Sequence, residues 1–84
     1  MKFYIQTIEQ ITKNNEISEF GATEKVDTEQ AALTKFYKKL SDVAADIGKN
    51  HTYMDIKIVN SLGGCIKKDS IGEYVDAPEE EPEE

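Results

Sequence analysis

The chain has 84 residues, a formal net charge of −7 and a single cysteine, Cys65. This length predicts one domain, and one cysteine excludes an intramolecular disulfide framework, so we expect a protein of the reducing cytoplasm. No signal-peptide pattern opens the chain and no apolar run reaches the roughly 18 residues of a membrane-spanning helix, so we expect neither secretion nor membrane insertion.

The acidic residues are distributed unevenly. Residues 76–84 contain six of the 17 acidic residues, so residues 1–75 hold 11 acidic and 10 basic residues, a net charge of −1. We predict a single domain over residues 1–75, followed by a disordered acidic tail over residues 76–84. All ten basic residues are lysines. The absence of arginine argues against bidentate phosphate clamps and against a nucleic-acid partner.

The first two predicted elements are strands joined by a tight turn. Residues 2–12 carry apolar side chains on both faces, which predicts a strand with either a bulge near Thr7 or partial burial of both faces. The segment Lys13–Asn15 supplies the turn, because asparagine tolerates the positive φ of tight hairpins. Residues 16–26 form the second predicted strand, in which Gly21 indicates a bulge or a close approach by a helix.

The next stretch predicts one amphipathic helix, capped by Asp27 or Thr28 and ending at Gly48. Its apolar residues recur at the spacing of one helix face; they are Leu33, Phe36, Tyr37, Leu40, Val43, Ala44 and Ile47. Such a stripe requires an apolar surface to cover it. The strands on either side of the helix in sequence are therefore expected to form a sheet beneath it.

Two further strands follow. Residues 51–60 alternate, with Met54, Ile56 and Ile58 toward one face, and residues 65–71 form a short last strand after a glycine-containing turn. The order β-β-α-β-β predicts an α+β fold, a two-layer sandwich with one amphipathic helix packed on an antiparallel sheet.

No catalytic or metal-binding pattern is visible. His51 is the only histidine and has no cysteine or second histidine at metal spacing, so we interpret it as an ordinary residue at a strand entrance. Cys65 lies about 30 Å along the chain from His51, so we interpret it as a small buried or half-exposed apolar residue. We expect a protein that is not an enzyme, with no cofactor and no metal.

Two groups of residues are candidates for binding a partner. They are Tyr4, Tyr53, Lys57, Gly63, Gly64, Lys67 and Lys68. The two tyrosines and the first lysine belong to the strand face opposite the helix, where tyrosines make good contact residues. The two glycines could offer backbone amides to an anion such as a small nucleotide, with the last two lysines close behind, although a plain hairpin turn explains them as well.

The stretch KFYKKLSDVAADIGKNHTYMDIKIVNSLGGCIKKDSIGEY resembles small uncharacterised proteins encoded by phages and prophages of Firmicutes. In those proteins a tyrosine-rich first strand, an alanine-rich helix and a closing hairpin of the form NS.GG..KKD recur. The resemblance covers most of residues 1–75 and carries no catalytic residues. It implies a context, because small phage proteins are often virion accessories or stoichiometric inhibitors of host defence, some of which sequester nucleotide signals.

These observations favour a non-enzymatic, stoichiometric binding protein of the host cytoplasm, with a phage-encoded inhibitor of a host defence system as the specific hypothesis. Its partner would be a host protein, a nucleotide signal or further copies of itself, since oligomerisation is a common remedy for the small core of such a chain. The alternative is an accessory or structural protein of a phage particle.

Overall fold

Residues 1–75, which the computed structural model of this protein describes, form four strands and one helix. The elements are β1 (Phe3–Lys13), β2 (Glu16–Val26), α1 (Glu29–Ala44), β3 (His51–Asn60) and β4 (Cys65–Gly72). The strands form one antiparallel sheet in the order β2-β1-β3-β4, and α1 packs on one of its faces. The predicted α+β fold is thereby confirmed, and the predicted acidic tail lies outside the described residues.

The β1–β2 hairpin closes through two asparagines with positive φ, 54° at Asn14 and 67° at Asn15, as predicted. The pairing of β1 with β2 is continuous, so the bulge considered near Thr7 is absent. The other alternative fits, because the second face of β1 is partly buried, with Tyr4 half-buried and Ile8 exposed. The register of β1 against β3 instead shifts between Gln10 and Ile11. No bulge is needed at Thr7 because the second face of β1 is not a core face and can leave apolar side chains exposed.

Gly21 marks neither a bulge nor a contact with the helix, which corrects the second prediction made for β2. It pairs regularly with Ile8, on the sheet face that points away from α1. A Cβ atom at this position would lie 3.2 Å from the carbonyl oxygen of Thr7. The glycine therefore relieves crowding against the neighbouring strand.

The helix is shorter than predicted. Thr28 is its N-cap, and the side-chain oxygen of Thr28 accepts a hydrogen bond from the amide of Ala31 at 3.1 Å. The helix ends at Ala44, and Gly48 lies beyond it with a φ of +88°, where its amide donates to the carbonyl of His51 at 3.1 Å. The positive φ that suggested a helix cap is used in the turn that leads into β3.

The core lies between α1 and the inner strands β1 and β3. Its buried residues are Phe3, Ile5, Val26, Ala32, Phe36, Val43, Met54, Ile56 and Ile58. Leu33, Leu40, Ile47 and Ile71 pack around them as half-buried side chains. Burial of each large apolar side chain contributes about 1.5–3 kcal/mol, so this layer holds the helix on the sheet.

Substitution of the central core aromatic tests this view. Phe36 is completely buried, so Phe36→Ala should lower the free energy of unfolding by about 3–5 kcal/mol. Tyr37 is its neighbour but is about half exposed, and Tyr37→Ala should cost less than about 1 kcal/mol. Urea denaturation followed by circular dichroism measures both, and equal losses for the two variants would contradict this assignment of the core.

Candidate binding surface on the open sheet face

The sheet face opposite α1, called here the open face, carries side chains from all four strands. Its residues include Tyr4, Gln6, Ile8, Gln10, Gly21, Thr23, Tyr53, Asp55, Lys57, Lys68 and Ser70. Successive side chains of a strand point to opposite faces, so the residues between the core positions of β1 and β3 are directed here. No helix of residues 1–75 covers this face.

A groove of about 430 Å³ lies in the open face, over β1 and β2. Its lining includes Gln6, Ile8, Gly21, Thr23, Asp55 and Lys57. Ile8 pairs across the sheet with Gly21, which adds no side chain, so β2 places no side chain directly opposite the isoleucine. The Ile8 side chain is 44% exposed. The surface therefore combines an apolar centre with polar and charged walls.

The segment that follows β4, residues Glu73–Val75 and called here the strap, folds back toward one end of the open face. Gly72 makes this turn possible with a φ of +83°. A Cβ atom at Gly72 would lie 2.2 Å from the carbonyl oxygen of Thr52, so no other residue fits without a shift of the backbone. The amide of Glu73 then donates to that same carbonyl at 3.1 Å.

Side-chain contacts hold the strap in place. The Gln10 Nε2 group donates to the carbonyl of Val75 at 2.8 Å, and the amide of Val75 donates to Gln10 Oε1 at 2.9 Å. The Tyr74 hydroxyl donates to Glu19 Oε1 at 2.8 Å, and its ring meets that of Tyr53 edge to face at 5.3 Å. These contacts explain why Gln10 is almost completely buried although it belongs to the open face.

The structure brings several of the predicted binding residues together on the open face. Lys57 and Lys68 are direct partners across β3 and β4, and Tyr53 lies further along β3. Tyr4 lies toward the other end of the face, opposite Val59. Burial, followed by the negative charge of Asp55, raises the pKa of the Tyr53 hydroxyl, so this group stays a neutral hydrogen-bonding phenol at physiological pH.

The two predicted glycines lie in the β3–β4 turn, away from the groove. The side-chain oxygen of Asn60 accepts hydrogen bonds from the amides of Leu62 (3.0 Å) and Gly64 (2.9 Å). The amide of Gly63 donates to the carbonyl of Asn60 at 2.9 Å. The amides of Gly63 and Gly64, which the sequence suggested as donors to an anion, instead form the hydrogen bonds that close the turn.

Lys67 and Lys68 point to opposite faces of the sheet, because they are successive residues of β4. Lys67 lies on the helix side, with its Nζ atom 5.6 Å from the ring centroid of Tyr37. The structure therefore joins Lys68 to the open face and leaves Lys67 outside it.

A second polar cluster lies on the helix side, and sequence reasoning missed it. His51 Nδ1 lies 2.8 Å from Asp46 Oδ2, and His51 Nε2 lies 2.8 Å from Glu9 Oε1. Lys39 Nζ lies 3.2 Å from the other Glu9 oxygen. Glu9 is buried in the core face of β1, in line with Thr7, and an acidic residue at such a position requires cationic partners. An acidic residue at a core-face position of β1 was therefore the signal in the sequence that could have revealed this cluster.

The cluster joins β1, β3, α1 and the loop after α1, so it acts as a clamp between elements. Both ring nitrogens of His51 are engaged by carboxylates of the same chain.

Cys65, expected to be buried or half exposed, is exposed at the start of β4. The prediction failed because β4 is an edge strand and its first residue lies beyond the cover of the helix.

Electrostatics favour the protonated form of His51. Burial alone would lower the pKa of the imidazole, but the hydrogen bonds and negative charges of Asp46 and Glu9 outweigh it and raise the pKa above its ordinary value of 6.5. The hydrogen bond from His51 holds the pKa of Asp46 below its ordinary value of 3.8. The imidazolium is thus stabilised between two carboxylates.

Comparison with known proteins identifies no relative: no family model matches the chain, and neither a curated protein nor a solved structure is significantly similar to it. No helix of residues 1–75 has the length and apolar character required to cross a membrane. In the same residues, no group of three or more His, Cys, Asp or Glu side chains is placed to hold a metal ion.

The His51 cluster predicts a pH dependence of stability. A raised folded-state pKa stabilises the fold fully below the unfolded value of about 6.5, and this contribution is lost as the pH rises through the folded-state pKa. The lowered pKa of Asp46 contributes above about pH 3.8 and is lost as the pH falls. The melting temperature should therefore fall as the pH rises above about 6.5, and this fall should be absent in His51→Gln. An unchanged decline in this variant would contradict the clamp.

The strap depends on Gln10. Gln10→Ala removes both hydrogen bonds to Val75, so the Val75 amide should exchange with solvent about tenfold faster in hydrogen-exchange NMR, as expected for the loss of about 1.4 kcal/mol of local stability. Gln6→Ala is the matched control, because Gln6 lies on the same face of β1 but outside the strap. Equal exchange at Val75 in all three proteins would show that Gln10 does not hold the strap.

Proposed function

We propose that this protein acts by stoichiometric binding, without catalysing a reaction, and that the open face of its sheet is the binding surface. The observation that carries this proposal is the groove centred on Ile8. A large apolar side chain exposed within a concave surface with a polar rim is the usual anatomy of a contact site. Tyr4 lies on the same face and extends this surface with a tyrosine, a residue type that often contributes strongly to binding energy.

The charges on the open face favour a protein as the partner. Asp55 lies between Tyr53 and Lys57 on the same face of β3, and Lys57 faces Lys68 across the sheet. A surface with both signs of charge matches the mixed charge of a protein surface better than the uniform negative charge of a nucleic acid. A small nucleotide is the alternative ligand, and Lys57 and Lys68 would then supply its counter-charge.

The biological context that we propose is inhibition of a host defence system by a phage-encoded protein in the host cytoplasm. The support for this context is the resemblance of residues 35–74 to small proteins of Firmicutes phages and prophages. The second candidate is an accessory protein of the phage particle. The outer edges of β2 and β4, which pair with no strand of residues 1–75, favour that candidate because such edges can dock onto other chains.

The test uses two matched substitutions of exposed apolar residues. Ile8→Lys places a charge in the groove, whereas Leu62→Lys places it in the β3–β4 turn, where the leucine is 80% exposed. Both variants should melt within a few degrees of the wild type, since each changes an exposed side chain. Wild type and variants are compared by native mass spectrometry alone, and then after affinity capture from the lysate of a Firmicutes host.

We expect the wild type and Leu62→Lys to retain one partner at a fixed ratio, and Ile8→Lys to lose it by at least tenfold. A partner of nucleotide mass would identify the ligand class, and a protein would identify the target. Retention by Ile8→Lys together with loss in Lys67→Ala would move the site to the hairpin and overturn the open-face proposal. Recovery of the chain in purified phage particles would support the accessory role instead.

A further inference from the structure

The two edges of the sheet differ in how they are protected against pairing. At the β4 edge the strand has eight residues, contains two successive lysines and follows a register shift between Ile58 and Val59. The amide of Ser70 is also occupied, because it donates to its neighbour Asp69 Oδ1 at 2.8 Å. Short length, lysines, irregular pairing and occupied amides are the features by which natural edge strands avoid association.

The β2 edge has fewer of these protections, and its charged residues are the glutamates Glu16, Glu19 and Glu24 and one lysine. The strand has eleven residues, contains no proline and pairs with β1 without any register shift. Lys25, its one lysine, stands next to the end of the strand. Phe20, on the helix side of this strand, is 43% exposed. A long, regular edge with an exposed aromatic residue is a template for a further strand.

The register of the β1–β2 hairpin decides which backbone groups face outward. Lys13 and Glu16 flank the two-residue turn and form a hydrogen-bonded pair, so the even-numbered residues of β2 bond to β1. The odd-numbered residues, from Ile17 to Lys25, therefore direct their amides and carbonyls away from the sheet. Gly21 is the middle residue of this outward-facing set.

We propose that the β2 edge binds the β2 edge of a second copy of this chain, antiparallel, with the two-fold axis at Gly21. The facing pairs would be Glu16–Val26, Ile17–Lys25, Ser18–Glu24, Glu19–Thr23, Phe20–Ala22 and Gly21–Gly21. All eleven residues find a partner, and no pair opposes two like charges. The outward-facing groups would form about ten hydrogen bonds across the axis.

Neighbouring registers are less favourable. Only the odd-numbered residues of β2 direct their amides and carbonyls outward, so each must lie opposite an odd-numbered residue of the second copy. One strand can therefore slide along the other only by two residues at a time. One such shift places Glu16 opposite Glu24 of the second copy, which is a like-charge pair. The opposite shift leaves Glu16 and Ile17 without partners. The strand is therefore self-complementary about Gly21, which is the requirement for an isologous interface that closes as a dimer.

Dimerisation would also change the open face. Gly21 and Thr23 line the groove at the edge of the sheet, so the grooves of the two copies would meet at the two-fold axis. The result would be one continuous surface across eight strands, with both helices on the opposite side. Association of the chain with itself through β2 does not require that a partner bind the groove.

Sedimentation velocity over a range of concentrations tests the interface. The backbone pair of variants is Thr23→Pro and Ser70→Pro, which each remove one outward-facing amide, on the β2 and β4 edges. The side-chain pair is Phe20→Lys and Ile66→Lys, which each charge an exposed apolar residue, on the same two edges. Circular dichroism checks that each variant is folded, since prolines at outward-facing edge positions leave the internal ladder intact.

We expect the wild type to sediment as a monomer–dimer equilibrium that does not grow beyond the dimer. Thr23→Pro and Phe20→Lys should raise the dissociation constant at least tenfold, whereas Ser70→Pro and Ile66→Lys should leave it within twofold. A wild type that is monomeric at about 1 mM overturns the inference. A dimer lost only in the two β4-edge variants overturns it as well, because the interface would then lie on β4.

Discussion

The side chain of Phe36 lies completely buried between α1 and the inner strands of the sheet, and the architecture depends on this contact layer. Four strands of an antiparallel sheet leave two broad faces, and the apolar stripe of α1 can cover one of them. Ile56 and Ile58 of β3 and Ile5 of β1 complete the layer. Since an isolated helix of 16 residues is marginal in water, the helix and the sheet each require this shared burial to form.

Because α1 covers one face of the sheet, the opposite face stays largely uncovered in the described part of the chain. Within residues 1–75 the open face receives only the strap, which Gln10 anchors through two hydrogen bonds to Val75. The groove around Ile8 is left accessible, and so is the long outer edge of β2. The two proposals, partner binding and self-association, both follow from this asymmetry, because they concern the face and the edge that the helix does not cover.

Much of the fold could be predicted because its signals are local. The alternation over residues 51–60 gave β3 its correct bounds, and Asn14 and Asn15 gave the first hairpin its turn. The end of the helix was harder, because a glycine with positive φ also occurs in a turn, and Gly48 serves one. The bulge considered near Thr7 was not needed, because the second face of β1 is partly buried and carries Ile8 exposed.

The amino-acid sequence by itself determined the element order, the apolar face of β3, and the strand positions of three open-face residues that we propose for binding, Tyr4, Tyr53 and Lys57. Only the tertiary structure decided that β1 and β3 are central, that Glu9 meets His51, and that the strap returns to Gln10. Periodicity and turn chemistry are properties of neighbouring residues, so a sequence shows them directly. The pairs Glu9–His51 and Gln10–Val75 are 42 and 65 residues apart in the chain. Such contacts depend on the order of the strands and on where the chain reverses, and both are decided only when the whole chain folds around one core.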